Sequence, residues 1–124
     1  MDILKKSESV LKAKKIIIEN CSFNRTFDEI ISGELESKIT KKIENIDEEE
    51  YKVALQLSIK NSENTMMAEV TVSGLFKFEG EEKSPYKKNI IEKNTVSILF
   101  PYLRAQMTLL TAQPNLQPIV LPPI

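Results

Sequence analysis

The sequence predicts an α+β domain: a four-stranded antiparallel β-meander packed with one long C-terminal α-helix. Two patterns carry that prediction. Between residues 35 and 78, apolar side chains recur at every second position in three successive runs, the mark of half-buried strands. From residue 94 the spacing changes to i, i+3, i+4, i+7, the mark of a helix. A third observation poses the functional question. Residues 94–124 hold a single charge, Arg104, whereas everything before them carries all 18 acidic and the rest of the 17 basic side chains. A stretch so nearly uncharged must be buried against something.

Residues 1–13 are expected to form an N-terminal extension with one or two amphipathic turns, since Ile3, Leu4, Val10 and Leu11 repeat at a spacing of seven. The sheet is expected over 14–80. Its first strand is "KKIIIENCSFNR" (14–25), β-branched and followed by the polar "NRTFDE". Alternation within it is weak, which suits a strand covered on both faces or paired with another subunit, and makes Ile16 and Ile18 candidate interface residues. "LESKITKKIEN" (35–45) sets Leu35, Ile39 and Ile43 against Glu36, Lys38, Thr40, Lys42 and Glu44. "YKVALQLSIK" (51–60) alternates throughout, and "TMMAEVTVSGLFKFEG" (65–80) repeats the pattern through Met66, Ala68, Val70, Val72, Phe76 and Phe78. "IDEEE" and "NSEN" are the turns between them.

A helical region is expected over 84–113, with "EGEEKSPYKKNIIEKN" as a charged link and the regular helix at 94–112, about 28 Å long. Val96, Leu99, Phe100, Leu103, Met107 and Leu110 form one apolar stripe; Ile98, Tyr102, Ala105 and Leu109 form another beside it. Pro101 costs about 3 kcal/mol in a helix interior, so a bend or a restart is expected near 97–101. Four strands can bury one stripe but not both. The second, with Arg104, is therefore expected to pack on another copy of the helix, with a carboxylate or a helix C-terminus of that copy facing the guanidinium. Residues 114–124, with Pro114, Pro118, Pro122 and Pro123 among Leu116, Ile119, Val120, Leu121 and Ile124, make an extended apolar tail.

Composition narrows the chemistry. At 124 residues the chain is one domain, and 41% hydrophobic with 28% charged residues is a globular balance. A net charge of -1 supplies no global field for nucleic acid or acidic lipid. His is absent and Cys occurs once, which excludes Ser-His or Cys-His catalysis, a His/Cys zinc site and an intrachain disulfide. Cys21 is expected to be a buried structural thiol. No cofactor and no enzymatic activity are implied. "MDILKKSESV" lacks the pattern of a signal peptide and no apolar run reaches the ~18 residues of a membrane span, so no membrane insertion is expected and the cytoplasm is the expected compartment. "DEEE" (47–50) lacks the spaced ligands of a calcium loop and reads as a solvated turn.

"SGLFKF" (73–78), a charged loop and then "NTVSILFPYLRAQMTLL" resemble the signature of the SecB protein-export chaperone family, notably at Ile98, Leu99, Phe100, Pro101, Tyr102 and Arg104. "LPPI" (121–124) is similar to the Leu-Ala-Pro-Val that follows the family's helix, and "KKIIIENCSF" (14–23) resembles its first strand. The resemblance covers about residues 14–124. It implies subunits paired through first strands into eight-stranded sheets, and two such dimers sandwiching their helices as a homotetramer. It also implies ATP-independent binding of unfolded preproteins in grooves. On this chain the groove falls to Phe27, Ile30, Ile31 and Leu35 between the first two strands, and to Ile119, Val120, Leu121 and Ile124 after the helix. Met67, apolar on the polar face of its strand, is added as an adaptable contact.

Two departures count against handover to the SecA motor. The family usually continues into a second helix and a polar tail, whereas this chain stops at Ile124. Its expected outer sheet face sets Glu36, Glu44 and Glu69 against Lys38, Lys42, Lys52 and Lys60, which is not an acidic dock. Service to a dedicated client, as in a SecB-like chaperone attached to a toxin–antitoxin system, is as plausible. A small ligand-binding α+β domain and a plain oligomerisation module remain the rival readings. No carboxylate on an apolar strand parity is available as a catalytic acid or base, which weighs against an enzyme.

Overall fold

A computed structural model describes residues 10–27, 34–80 and 86–122. The strands are β1 (Val10–Arg25), β2 (Leu35–Asn45), β3 (Glu50–Asn61) and β4 (Met66–Glu79), followed by the helix α1 (Lys87–Leu110). All pairings are antiparallel, as predicted, with β2, β3 and β4 forming a meander. The first strand departs from that pattern. It lies beside β4, giving the order β1-β4-β3-β2, so the two strands that follow one another first in the chain occupy opposite edges. This is a Greek-key arrangement. It arises because β4, buried or half-buried on both faces over most of its length, takes a partner on each side. β1 also starts earlier than expected: Val10 and Leu11 continue the strand, and Leu11 packs against the core opposite Phe78.

The inner face follows the sequence alternation. Tyr51, Val53, Leu55, Leu57 and Ile59 of β3 are buried, as are Met66, Ala68, Val70, Val72, Phe76 and Phe78 of β4. The β3–β4 turn is fixed by Asn61, whose Oδ1 accepts the N–H groups of Thr65 (2.9 Å) and Met66 (3.1 Å). Asn64 there adopts φ 57°, a left-handed conformation that Asn tolerates. At the β2–β3 turn, Asp47 Oδ1 accepts the N–H of Glu49 (2.9 Å) and of Glu50 (3.0 Å). Gly74 is placed where a Cβ would come within 2.6 Å of the Phe76 ring and 3.0 Å of Leu99, so its missing side chain lets the helix settle on the sheet.

The helix is longer than predicted. Ile91 extends the buried row Thr95, Leu99, Leu103, Met107 back by one turn and joins Tyr51 and Phe78 in a second apolar cluster. Lys87 caps that cluster, its Nζ 5.6 Å from the Tyr51 ring centroid and 5.3 Å from that of Phe78. What reads as a charged linker in the sequence is thus, from Lys87 on, the first turns of a rod about 36 Å long. Pro101 neither ends it nor restarts it. The ring stands on the exposed side, and buried residues on both flanks hold the helix to the sheet. α1 lies mainly over β4, β1 and β3, and reaches β2 only near Lys41 and Ile43.

Candidate functional site

The tail after α1 is anchored rather than loosely draped. Thr111 Oγ1 accepts the N–H of Ile119 at 2.8 Å, and Thr108 Oγ1 donates to the Ile119 carbonyl at 2.8 Å. From the end of β1, the Arg25 guanidinium donates to the carbonyls of Pro114 (2.6 Å) and Asn115 (3.1 Å). Ile119 and Leu121 thereby reach the main core, while Val120 points outward, 76% exposed.

Between this tail and the start of β2 lies an open cleft of about 460 Å³, lined by Leu35, Asn115, Leu116, Gln117, Pro118 and Ile119. Leu35 continues into Ile39 and Ile43 on the helix-side face of β2. Because α1 does not cover this end of the strand, Leu35 and Ile39 stay 38% and 50% exposed. Leu35 and Ile39 together with the tail cleft thus leave apolar surface open on the helix side of the sheet.

Of the sequence-predicted groove residues, Leu35 and Ile119 meet in this cleft. Leu121 packs inward, Val120 is exposed next to it in the chain, and Phe27 is fully exposed at the end of β1. Ile30, Ile31 and Ile124 lie outside the described residues. Met67 is the exception: register places it with Asn24 and Lys60 on the opposite face of the sheet, where it is 44% exposed, so it does not belong to the cleft. Sequence reasoning placed Ile39 on the apolar side of its strand without assigning it to the groove, and did not single out Leu116 or Pro118. The signal for Ile39 was present, because the four-residue spacing of Leu35, Ile39 and Ile43 leaves Ser37 and Lys41 on the same face, too polar for a fully covered strand.

The candidate assembly residues divide. Tyr102, Ala105 and Leu109 form an exposed helix stripe, whereas Ile98 is half-buried against the subunit's own core. Arg104 is half-buried, and none of the described carboxylates makes an ion pair with it. Ile16 lies under the helix and Ile18 is at the margin of exposure, both on the edge strand β1. Cys21 corrects an expectation: it is exposed, because β1 is an edge strand, with the Gln106 amide 3.4 Å from its sulfur.

The outer face is a mixed and largely paired charge field. Lys12 meets Glu79 at 2.9 Å, Lys52 meets Glu19 at 3.3 Å, Lys77 meets Glu49 at 3.7 Å and Lys14 pairs with Glu50. The nearby Ser73 hydroxyl, which makes no hydrogen bond of good geometry, and then the Lys52 ammonium hold the Glu19 carboxyl below its ordinary range. Lys12 does the same for Glu79, and the two backbone N–H groups do so for Asp47. The acidic turn at 47–50 is thus a solvated, ion-paired hairpin. Among the described residues no cluster of three or more metal-ligating side chains occurs, and no helix is long and apolar enough to cross a membrane.

A Greek-key sheet, one two-faced helix and a pinned apolar tail define a SecB-like α+β domain. The sequence matches the family described as SecB, preprotein translocase subunit SecB, over residues 6–124. The chain belongs to that family. The fold is similar to that of the Mycobacterium tuberculosis Rv1957 SecB-like chaperone, solved in complex with a ChAD peptide from the Rv1956 HigA1 antitoxin. The TM-score is 0.70 at 14% identity, covering 97% of this chain and 94% of the other. It is also similar to a protein of unknown function from Streptococcus agalactiae, with TM-score 0.55 at 11% identity over 92% of this chain and 98% of that one. In sequence, uncharacterized protein MJ0357 of Methanocaldococcus jannaschii is 46% identical over 44 residues, 36% of this chain but only 28% of that protein's length.

Proposed function

We propose that this protein is an ATP-independent chaperone that binds unfolded or preprotein polypeptides and keeps them soluble, for export or for a dedicated client such as a toxin–antitoxin system. The observation that carries the reading is the pair Leu35 and Ile39, exposed on the helix-side face of β2 and adjoining the tail cleft at Ile119. An unfolded client offers apolar side chains in no fixed order. A surface of this kind binds them by non-directional burial, at about 25 cal/mol per Å² before the costs of ordering. Phe27, Ile30, Ile31, Val120, Leu121 and Ile124 extend the same groove in this reading. The solved complex of Rv1957 with an antitoxin peptide supports a polypeptide client.

The active form is a homo-oligomer, a dimer or a dimer of dimers giving a homotetramer. The free edge of β1 with Ile16 and Ile18 and the outer stripe with Tyr102, Arg104 and Leu109 are its contacts, Ile98 being partly spent on the subunit's own core. Its place is the cytoplasm. Docking to SecA is disfavoured by the paired, mixed charges of the outer face. A second reading, an assembly module without chaperone activity, is favoured by one observation: Ile119 and Leu121 already serve the subunit's core.

The test is light scattering of a chemically unfolded, aggregating protein with increasing amounts of this chain, with size-exclusion mass on the same sample. Suppression near one oligomer per client is expected. A stable oligomer that never suppresses aggregation leaves only the assembly module.

A further inference from the structure

We propose that Arg25 is the positioning residue of the cleft: it holds the tail wall opposite Leu35, and client affinity depends on that hold. This rests on the chaperone reading and deepens it by naming the side chain that keeps the site in shape. Arg25 is the last residue of β1. Register sets it beside the buried Met66, on the helix side of the sheet. The Thr26 N–H, donating to the Thr65 carbonyl at 2.9 Å, carries the pairing one residue further, so the backbone of Arg25 is fixed by the sheet.

From there the guanidinium crosses to the turn that follows α1. Nη1 donates to the Pro114 carbonyl at 2.6 Å and Nη2 to the Asn115 carbonyl at 3.1 Å. Two successive carbonyls on one planar fork form a match that the single point charge of Lys does not reproduce. Asn115 adopts φ 57°, a left-handed conformation that Asn tolerates, inside a turn closed by the Leu116 N–H on the Gln113 carbonyl at 3.2 Å.

The remaining tail bonds cannot substitute for this tie. Those from Leu116 to Gln113 and from Gln113 Nε2 to the Leu110 carbonyl (2.9 Å) are local to the turn and travel with it. Thr108 and Thr111 fix Ile119 to the helix, at the far end of the wall. Among the described residues, the hydrogen bonds that join the tail to the sheet are those of Arg25. The wall formed by Leu116, Gln117 and Pro118 is thus a short strap between two fixed points, Asn115 and Ile119. Releasing Asn115 frees one end of it, and the cleft of about 460 Å³ between strap and Leu35 loses its set width. A client must then order the strap as it binds, a cost that a preorganised wall avoids.

The variants are Arg25→Met, which keeps the apolar stem and removes the fork, and Arg25→Lys, which keeps the charge. The probe is a labelled peptide of about ten residues alternating Leu and Ser, followed by fluorescence anisotropy. Arg25→Met is expected to bind it about tenfold more weakly, the scale of a hydrogen bond to a charged group, with Arg25→Lys in between. The amides of Leu116 and Gln117 should exchange faster in Arg25→Met, while those of β3 and α1 stay protected. Leu35→Ser supplies a readout that a merely structural role would not move. It should weaken binding in the wild-type protein and add little in Arg25→Met, because the wall it faces is already released. Unchanged affinity in Arg25→Met, wild-type affinity in Arg25→Lys, additive losses with Leu35→Ser, or faster exchange throughout the sheet would each overturn the proposal. Tighter binding by Arg25→Met would do so too, and would make the tail a cover over the cleft. Should Arg25→Met fail to fold, Arg25→Lys carries the same comparison with Leu35→Ser. Wild-type protein that neither binds the peptide nor suppresses aggregation sinks the chaperone reading; wild-type binding that ignores Arg25 sinks only this inference.

Discussion

The two edges of the sheet are built from similar ingredients and left in opposite states. β1 and β2 are both lysine-rich and β-branched. On β1, Lys12, Lys14, Glu19 and Arg25 are each tied to a neighbour, Lys15 alone of its charges making no such tie among the described residues, Leu11, Ile16 and Phe23 pack against the core, and the centre Ile16–Ile18 is neutral. On β2 the helix reaches only the Lys41–Ile43 end, Leu35 and Ile39 stand in solvent, and Lys38, Lys42 and Glu44 make no ion pair among the described residues. An edge whose charges are mostly satisfied internally can accept a copy of itself; an edge that would set Lys38 against Lys42 is disfavoured in its fullest register. The placement of α1 creates the difference, because the helix covers three strands and leaves most of the fourth bare.

The largest effect should come from loosening that helix. Leu103 is fully buried against the β3–β4 face, and Leu103→Ala is expected to cost about 2–5 kcal/mol, read as a lower urea midpoint. If the contrast between the edges depends on α1, the variant should also raise hydrogen exchange at β1 more than at β2, which the helix barely reaches. Equal rises at both edges would show that the helix does not set the difference.

A charge placed on each edge sharpens the comparison. Ile18→Lys should lower the assembly mass in size exclusion, since an apolar side chain of this size contributes roughly 1.5–3 kcal/mol when fully buried. Ile39→Lys should leave the mass unchanged and reduce aggregation suppression instead. Loss of assembly in Ile39→Lys, or retention in Ile18→Lys, would reverse the roles given to the two strands.

How far these edges were legible in the sequence follows from the range of the interactions. The parity of β3 and β4 is a local period-2 signal, and it located Met66 in the core and Met67 on the polar face. That parity already separated Met67 from Leu35, so grouping both in one groove ignored information at hand. The partner of β1 is a non-local matter that no turn signal in "NRTFDE" could reveal, hence the meander order in place of the Greek key. Cys21 was assigned to the interior by residue type, a reading that fails on an edge strand. The helix does not restart at Pro101, because the buried contacts of Leu99, Leu103 and Met107 outweigh its intrinsic cost. Ile91 could have been found by extending the buried row four residues toward the N-terminus.

The smallest effect concerns acid, and it tests the same asymmetry. Glu19 and Glu79 have folded pKa values below their ordinary 4.5, and Asp47 lies below 3.8. For a carboxyl lowered on folding, the unfolded chain binds protons more readily. The stabilisation is therefore present above the ordinary value and is lost as pH falls through the folded one. Lys14 has the opposite sign: raised by Glu50 above 10.5, it contributes below that value and loses its contribution only as pH climbs through the folded one. All four groups are exposed, so the change in global stability should be slight and should shrink further in salt. Its location is the informative part. Glu19 and the lysine that holds Glu79 belong to β1, so acid below about pH 4 should increase amide exchange along β1 before it does so along β2. An earlier loss along β2 would mean that the paired charges of β1 do not secure that edge, and its readiness to accept a second copy would then need another source.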